Sequence, residues 1–479
     1  MKSVAAFVRA IIEQEGRTLV AERSERDATA YMAAVAALSL SSAGRRPDNR
    51  VLCVQGVGMI WRVGSQKKDL WAAALGSCKR WLGSLLFVVL AVLWFWPLGD
   101  DPIPTASPTR KPTATPPPLA DGYGGLPVRV VDRSWTVEAL LARSELEQSA
   151  VWADGEELTF FYQGEAEAVD TCCGIQLPMR RVGDSDAWAL TVRVEGLAQA
   201  VISYFFIPYQ DGHPVQDMEG MGDLPVWRGP DAPAALERAE ALQGQIDRYA
   251  IDSMALDESR DLTVYLPPGH DPTQQYPVVY AADGASVDGF AAILDPLIVE
   301  GNFPAVIVVG VHAGAYTGPA AVYDRGQDLR VQEYLWGENQ ARFEAHERFF
   351  VYEVSDWAEQ TVGASSNREA RAVFGFSNGG AFAVSMGIRH PEHYGAVLAF
   401  SLGMGPDGWG TPQWTADIAP RHYLVAGTLE PFQEPTARWA AKLARMGVEH
   451  VHRERVCGHD PVLWEEEFPG AVVWAFGDR

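Results

Sequence analysis

The hydrophobic pattern of the chain contains one uninterrupted apolar run. Residues 81–98 are 18 residues without a charged side chain, which as a helix would extend about 27 Å, close to the hydrocarbon thickness of a bilayer. Basic residues precede the run, whereas Asp100 and Asp101 follow it. The pattern predicts a single transmembrane helix at 81–98, with the N-terminus in the cytoplasm and the larger C-terminal part outside.

The segments on either side of this run are unlike folded domains. A cleaved signal peptide is the main alternative to a membrane anchor, but it would have a short basic leader and a small-residue cleavage site, which is not evident here. Residues 1–80 are interpreted as a cytoplasmic segment without a recognisable motif, and a start at Met59 would shorten them to the leader of an ordinary signal anchor. Residues 99–125 are rich in Pro and Thr and are predicted to form an extended linker.

Between residues 126 and 230 the pattern is one of short β-type runs. β-branched and aromatic residues are grouped at 157–164, 187–196 and 200–209 and are separated by Gly, Asp and Pro. This arrangement predicts a small antiparallel β-sandwich. The following segment, 231–250, is predicted to be a helical connector.

From residue 251 to residue 479 apolar strands alternate with helical segments such as 347–362 and 434–447. Several strands are continuous apolar runs, which are typical of a parallel sheet covered on both faces. The alternation predicts a doubly wound α/β domain.

Charge and cysteine content narrow the classes of function. Residues 1–80 contain 13 Lys and Arg against 7 Asp and Glu, whereas the rest of the chain contains 26 against 55. An acidic body without a basic stripe argues against a nucleic-acid partner. The five cysteines have no zinc-like spacing, so no metal is predicted. Adjacent Cys172 and Cys173 are interpreted as ordinary strand residues, with a vicinal disulfide as the alternative.

The motif G-x-S-x-G occurs once in a suitable context, at residues 375–379. It lies between a predicted strand at 370–374 and a predicted helix at 379–390, which is the strand–turn–helix arrangement of a nucleophile elbow. Small residues tolerate the crowding at such a turn. Ser377 is therefore predicted to be a nucleophile, and the alternative is a glycine-rich turn that contains a bystander serine.

A serine nucleophile requires a base, and α/β-hydrolases carry their catalytic residues in the order Ser, acid, His. His459 follows the last predicted strand and is predicted to be the base. Glu430 follows the preceding strand and is predicted to orient His459, although a helix-capping role is the alternative. Asp460 is a poor candidate for the acid because neighbouring side chains diverge. The histidines assigned to predicted strands are His422, His450 and His452.

The remaining element of such a site is an oxyanion hole. The turn Asp283-Gly284-Ala285 follows an early strand, where a second oxyanion donor is expected. The predicted donors are the backbone amides of Asn378 and of Gly284 or Ala285.

Several sequence blocks occur together in a characteristic order, and they are PVVYAADG, VIVVGVHAG, DLRVQEYL, RFEAHERFFVYEVSDWAEQ, GFSNGG and GHDPVLWEEEFPGAVVWAF. This part of the chain, roughly residues 250–479, resembles the enterochelin esterase-like branch of the esterase D family. The segment ELTFFYQGEAEAV and the later MRRVGDSDAWALTVRV are similar to the early-Ig-like domain at the N-terminus of enterochelin esterases. The resemblance implies an α/β-hydrolase fold and a serine esterase that needs no metal or organic cofactor.

The resemblance also implies roles for individual residues of this chain. Ser377 matches the nucleophile, His459 the base and Glu430 the usual position of the acid, although some relatives manage with a Ser–His dyad. Arg330, which lies in the block DLRVQEYL, matches a segment near the site.

Arg330 and Asp283 are accordingly candidate substrate-binding residues. Arg330 would bind an anionic group of the substrate. The alternative is an ion pair of Arg330 with Glu333 or Glu353 that fixes the loop.

These features together predict a membrane-anchored, extracytoplasmic serine esterase acting on a small-molecule or glycan ester. A siderophore esterase is usually cytoplasmic and acts on an anionic ferric catecholate, whereas this domain is acidic and is predicted to lie outside. An envelope or glycan acyl-esterase, or an acyltransferase, is therefore the alternative. A non-catalytic binding protein on an esterase scaffold would be expected to have lost its catalytic residues.

Overall fold

The computed structural model describes residues 128–215, 224–301, 303–318, 324–403 and 414–477, with the backbone of two short strands nearer the N-terminus. These two strands pair antiparallel and are β1 (Cys53–Val54) and β2 (Ile60–Trp61).

The chain forms two compact units, Met1–Pro112 and Thr113–Arg479. The transmembrane helix predicted at 81–98 and the linker predicted at 99–125 lie outside the described residues. Among the residues that are described, no helix combines the length and the apolar character that crossing a bilayer requires.

The β-rich region after residue 127 contains two antiparallel sheets. The strands of the first sheet are β3 (Val128–Val130), β4 (Val151–Asp154), β5 (Glu157–Gln163), β7 (Arg180–Arg181) and β8 (Ala187–Val194). Those of the second are β6 (Ala168–Cys173), β9 (Val201–Gln210), β10 (His213–Pro214) and β11 (Val226–Arg228). The strand order is β3-β8-β5-β4 in the first sheet and β10-β9-β11 in the second. The three β-runs predicted from the sequence are confirmed as β5, β8 and β9.

One helix of this region, α1 (Val137–Glu147), is not part of the predicted pattern. Thr136 caps it by accepting a hydrogen bond from the amide of Ala139, and Gln148 ends it with φ 50°. The capping threonine before a run of good helix formers was the available signal.

The helical connector predicted at 231–250 is wrong. Residues 231–244 form no regular element, and β12 (Gln245–Ser253) pairs antiparallel with β13 (Glu258–Leu266). The carboxylate of buried Asp295 accepts hydrogen bonds from the amides of Gln243 and Gly244, at 2.7 and 2.8 Å. These bonds fix the backbone just before β12. Together with the pairing of β12 and β13, they override the helical propensity of residues 231–250.

The remaining strands, together with β12 and β13, form one eight-stranded sheet. Its other strands are β14 (Val278–Ala282), β15 (Ile307–Val311), β16 (Arg371–Phe376), β17 (Ala396–Phe400), β18 (Arg421–Gly427) and β19 (His450–Arg455). The order is β12-β13-β15-β14-β16-β17-β18-β19, and every pairing from β15 onwards is parallel. The predicted α/β fold is confirmed.

Helices cover both faces of this sheet. They are α2 (Val287–Val299), α3 (Leu329–Tyr334), α4 (Gln340–Arg348), a π-helix (Phe349–Glu353), α5 (Val354–Thr361), α6 (Asn378–Arg389), α7 (Gln433–Met446) and α8 (Pro461–Phe476). Apolar residues of α2 and α8 form the core on one face, and those of α5, α6 and α7 form the core on the other. In open α/β sheets, ligands bind at the edge formed by the carboxyl ends of the parallel strands.

A buried ion-pair network fixes α3 against this sheet. The carboxylate of Glu333 has no exposed surface and accepts hydrogen bonds from Arg260, Arg342 and the amide of Gly314, all within 2.9 Å. Burial raises the pKa of Glu333, but its cationic and amide partners outweigh this effect and hold it at about 2. His346 lies 3.5 Å from the same carboxylate, but burial lowers its pKa to about 4, so the arginines balance the charge at neutral pH.

We expect this network to weaken in acid. The pKa of Glu333 is lower in the folded protein than the ordinary value of 4.5, so the stabilisation is complete above pH 4.5 and is lost as the pH falls through 2. The shift corresponds to about 3 kcal/mol. Glu333→Gln should lower the thermal unfolding midpoint at pH 7 and flatten its decline below pH 4.5. Glu434→Gln, which removes an exposed ion pair with Arg438, is the control. An unchanged acid slope in Glu333→Gln would contradict this account.

Candidate active site

The turn between β16 and α6 carries Ser377 in a strained backbone conformation. Its φ is 56° and its ψ is −127°, in a region that residues with a side chain rarely occupy. The turn is held by a 3.0 Å bond from the amide of Ser377 to the carbonyl of Phe400 and by a 2.9 Å bond from the amide of Gly403 to the carbonyl of Ser377. A Cβ atom on Gly375 would overlap the backbone of Gly379, so glycine is required there. The predicted strand–turn–helix context is present.

His459 follows β19 and reaches the serine. Its Nε2 atom lies 3.0 Å from the hydroxyl oxygen of Ser377. The ring is held between Phe432, at a centroid distance of 4.6 Å, and Trp464, at 4.9 Å, and Trp464 in turn stacks on Phe376. These aromatic contacts leave Nε2 directed at the serine.

Glu430 completes a continuous line of hydrogen bonds. Its Oε2 atom lies 2.6 Å from Nδ1 of His459, and the side chain is fully buried. Its other oxygen accepts hydrogen bonds from the hydroxyl of Ser401 at 2.7 Å and from the amide of Gly427 at 2.8 Å. A carboxylate at this position fixes the imidazole tautomer with a proton on Nδ1, which leaves the lone pair of Nε2 free to accept a proton from Ser377.

Ser401 and Trp464 support Glu430, and the sequence analysis missed both. The indole N–H of Trp464 donates to the hydroxyl of Ser401 at 2.9 Å, so the serine hydroxyl is oriented toward the carboxylate. Ser401 follows directly after β17, at the edge of the sheet where the other site residues lie. A polar residue in that position was the available signal.

The predicted oxyanion donors lie beside the elbow. β14 pairs with β16 so that Ala281 faces Phe374, which brings the turn after Ala282 next to Ser377. Gly284 begins a short 3₁₀ turn in that loop and is buried against Gly310. Asn378 opens α6, and amides in the first turn of a helix have no partner within the helix. The oxyanion roles of Asn378, Gly284 and Ala285 stay predictions.

Arg330 forms an ion pair, but with a partner other than those considered from the sequence. Its guanidinium donates to both carboxylate oxygens of Asp283, at 2.5 and 2.7 Å. Glu333 instead binds Arg260 and Arg342, and Glu353 accepts a hydrogen bond from the amide of Ala255. The proposed pairing of Arg330 with Glu333 or Glu353 is therefore wrong, and the two candidate substrate-binding residues bind each other.

Asp460 joins the β-rich region to the α/β domain. One carboxylate oxygen accepts a hydrogen bond from the amide of Val462 and caps α8, while the other accepts from the amide of Ser203 in β9, both at 2.9 Å. Burial raises the pKa of Asp460. The side chain thus points away from the imidazole of His459, in agreement with the reason for setting it aside as the acid.

The cleft beside His459 is lined from both parts of the molecule. The β-rich region contributes Val128 and the loop at the end of β6, and the α/β domain contributes the loop around Glu430. Apart from Glu430 and His459 the described lining is uncharged, and its members are Val128, Cys173, Gly174, Ile175, Gln176, Leu177, Leu429 and Pro431. Cys172 and Cys173 are free thiols at the end of β6, as the sequence analysis expected.

Gly458 should not tolerate a side chain, because it packs against the backbone of Gly174. A Cβ atom at Gly458 would overlap the carbonyl oxygen of Gly174. We expect Gly458→Ala to displace the neighbouring His459 and to lower kcat for ester hydrolysis by about 100-fold, the cost of a misplacement of roughly 1 Å. Gly326→Ala is the control, since the nearest atom to a Cβ there is Oδ1 of the exposed Asp324 side chain, at 3.3 Å. Equal kcat values for the two variants would show that this contact does not position His459.

Comparisons with known proteins agree with the fold. Residues 253–475 match the model of the family described as Putative esterase. No curated protein sequence matches the chain.

Solved structures are similar over most of the described part of the chain. An enterobactin esterase from Shigella flexneri, solved in the presence of enterobactin, has 18% identity and a TM-score of 0.51, covering 69% of this chain and 97% of its own. The same enzyme with 2,3-dihydroxy-N-benzoyl-glycine has 17% identity and a TM-score of 0.52, covering 69% and 98%. Residues 253–475 of the chain therefore match the Putative esterase family, and the fold is that of the enterochelin esterases.

Proposed function

We propose that the chain is a serine esterase that hydrolyses carboxylic esters through an acyl-enzyme at Ser377. The observation that carries the proposal is the unbroken line of hydrogen bonds from Ser377 through His459 to buried Glu430, at 3.0 and 2.6 Å. These distances lie within the range required for transfer of a proton between a nucleophile and its base.

In the first half of the reaction the hydroxyl oxygen of Ser377 attacks the ester carbonyl as Nε2 of His459 takes the hydroxyl proton. The negative charge on the carbonyl oxygen is stabilised by the amide of Asn378 and by that of Gly284 or Ala285. His459 then gives its proton to the departing alcohol, which leaves the acyl group on Ser377.

In the second half water attacks the acyl-enzyme, and His459 takes a proton from the water and returns it to Ser377. The carboxylate of Glu430 stabilises the imidazolium form of His459. Its two further donors, the hydroxyl of Ser401 and the amide of Gly427, support the negative charge in a site without solvent exposure.

The substrate is a neutral ester with an apolar group. The described residues that line the cleft beside His459 include no Lys or Arg, and the side chains of Val128, Ile175 and Leu177 behind its wall belong to the apolar core of the β-rich region. Arg330, the basic residue predicted to bind an anion, is already paired with Asp283. An unpaired carboxylate would lose its hydration in such a cleft without compensation. These features favour a neutral ester over the anionic ferric catecholates of siderophore esterases.

A matched pair of substrates tests this preference with the full-length protein. p-Nitrophenyl butyrate and p-nitrophenyl hemisuccinate have the same chain length and differ in a terminal carboxylate. We expect kcat/KM to be at least about tenfold higher for the butyrate, because the carboxylate has no partner in the cleft. A preference for the hemisuccinate, or efficient cleavage of enterobactin, would contradict the substrate class while leaving the esterase mechanism intact.

The esterase domain is proposed to lie outside the cytoplasm, tethered by a transmembrane helix at 81–98 and a linker at 99–125. Support comes from the length of the charge-free run and from the basic residues before it. The segment 126–230 is proposed to be an early-Ig-like domain, and residues 251–479 are proposed to be the α/β-hydrolase domain. Digestion of the C-terminal part by protease added to intact spheroplasts would support this topology, and full protection would contradict it.

A further inference from the structure

The turn that follows α6 gathers three side chains of metal-binding type. His390, Glu392 and His393 each direct one ligand atom into the same space, and these atoms all lie within 4.8 Å of one another. A hydrogen bond from the amide of His393 to the carbonyl of His390 closes the turn at 3.0 Å. The turn lies at the opposite end of α6 from Ser377, about 18 Å away for a helix of 12 residues. The cluster is therefore separate from the candidate active site.

We propose that His390, Glu392 and His393 form a binding site for Zn²⁺. Nδ1 of His390 lies 3.6 Å from a carboxylate oxygen of Glu392, and Nε2 of His393 lies 3.8 Å from the same oxygen. Ligand atoms around a tetrahedral Zn²⁺ with bonds of about 2.1 Å are about 3.4 Å apart. The two histidine–carboxylate distances exceed that spacing by a few tenths of an ångström, and the ligand atoms of the two histidines lie within 4.8 Å of each other. The side chain of Glu392 is exposed, so it can move to shorten its distances to both histidines.

A second carboxylate fixes the orientation of His390. Nε2 of His390 lies 2.9 Å from an oxygen of Glu347, and Arg389 donates to the other oxygen of Glu347 at 2.9 Å. When Nε2 of His390 donates its proton to this carboxylate, the lone pair of Nδ1 faces the cluster. Carboxylate–histidine–zinc arrangements of this kind are a regular feature of zinc sites.

The other groups around the cluster are compatible with a cation. The imidazole of His393 is half-buried and lies beside Glu392. The hydroxyl of Tyr352 lies 3.4 Å from Nδ1 of His390, a long contact that a metal–nitrogen bond would replace. Two imidazoles and a carboxylate are a ligand set suited to Zn²⁺, with water in the fourth position.

Zinc binding to the full-length protein without a histidine tag tests the proposal. After treatment with a chelator, the wild-type chain should bind one equivalent of Zn²⁺ in a competition titration, and Co²⁺ in its place should give the visible spectrum of a tetrahedral site. His393→Ala and Glu392→Gln should each weaken the binding by about 100-fold or more, beyond the usual effect of losing an outer-shell partner. His452→Ala is the control, because His452 lies 3.7 Å from Glu454 and does not belong to the cluster of His390, Glu392 and His393.

Zinc should also raise the thermal unfolding midpoint of the wild-type protein, since a ligand that binds only the folded state stabilises it. This rise should be absent from His393→Ala. Undiminished binding in His393→Ala and Glu392→Gln would overturn the proposal. So would binding that survives these changes and is lost when Cys172 and Cys173 are replaced by serine.

Discussion

Replacing Ser377 with alanine is expected to lower kcat for hydrolysis of p-nitrophenyl acetate by about 10⁶-fold, to the level supported by binding and oxyanion stabilisation alone. His459→Ala should lower kcat by a similar factor, because the hydroxyl of Ser377 is a poor nucleophile when no base takes its proton. Since the two residues act as one unit, the double variant should be no slower than either single variant. Steady-state kinetics of the three proteins measure this non-additivity directly.

Ser385→Ala is the matched control for the first change. Ser385 lies two turns further along the same helix and is buried, and its hydroxyl has no hydrogen-bond partner in the described part of the chain. Its removal should leave kcat unchanged. If Ser377→Ala kept more than about one hundredth of the wild-type kcat, Ser377 would not be the nucleophile.

Glu430→Gln is expected to lower kcat by about 10⁴-fold while the fold is kept. The hydroxyl of Ser401 and the amide of Gly427 both donate to one oxygen of Glu430, so the carbonyl of a glutamine should face them. Its amide group then donates to Nδ1 of His459 and forces the proton of the imidazole onto Nε2. In this tautomer Nε2 cannot accept the proton of Ser377.

Two measurements separate this tautomer effect from a general loss of structure. The thermal unfolding midpoint of Glu430→Gln should stay close to that of the wild type, and Glu430→Asp should recover part of the activity because it restores the carboxylate. Glu434→Gln, four residues away and exposed, should be fully active. A loss of less than about tenfold in Glu430→Gln would show that the enzyme works as a Ser–His dyad.

The proximity of Ser377, His459 and Glu430 was predictable from the sequence because each of these residues follows a recognisable strand. Ser377 interrupts a strand–helix junction, and Glu430 and His459 follow the last two strands. Parallel strands bring all three to one edge of the sheet. The order along the chain therefore specifies their proximity.

Contacts between segments that are far apart in the sequence could not be predicted in this way. Asp283 and Arg330 are 47 residues apart, and nothing in their spacing distinguishes this pair from the ion pairs considered for Arg330. The contribution of the β-rich region to the cleft depends on the packing of Gly174 against Gly458, two glycines without any local pattern in common.

The errors in secondary structure have a similar cause. The segment 231–250 contains good helix formers, yet pairing with β13 makes its last part, residues 245–250, a strand, and the amide bonds to Asp295 fix the backbone just before it. Helix α1 was missed because the surrounding β-type runs dominated the interpretation. In both cases the deciding interactions are tertiary rather than local.

The most direct test of the central claim is to identify the acylated residue. The full-length protein would be mixed rapidly with p-nitrophenyl acetate, the release of p-nitrophenolate followed, and the protein quenched in acid for peptide mass spectrometry. Catalysis through Ser377 predicts a burst of about one p-nitrophenolate per chain and an acetyl group on the peptide containing Ser377. Turnover without any acylated intermediate, or an acetyl group on a different residue, would contradict it.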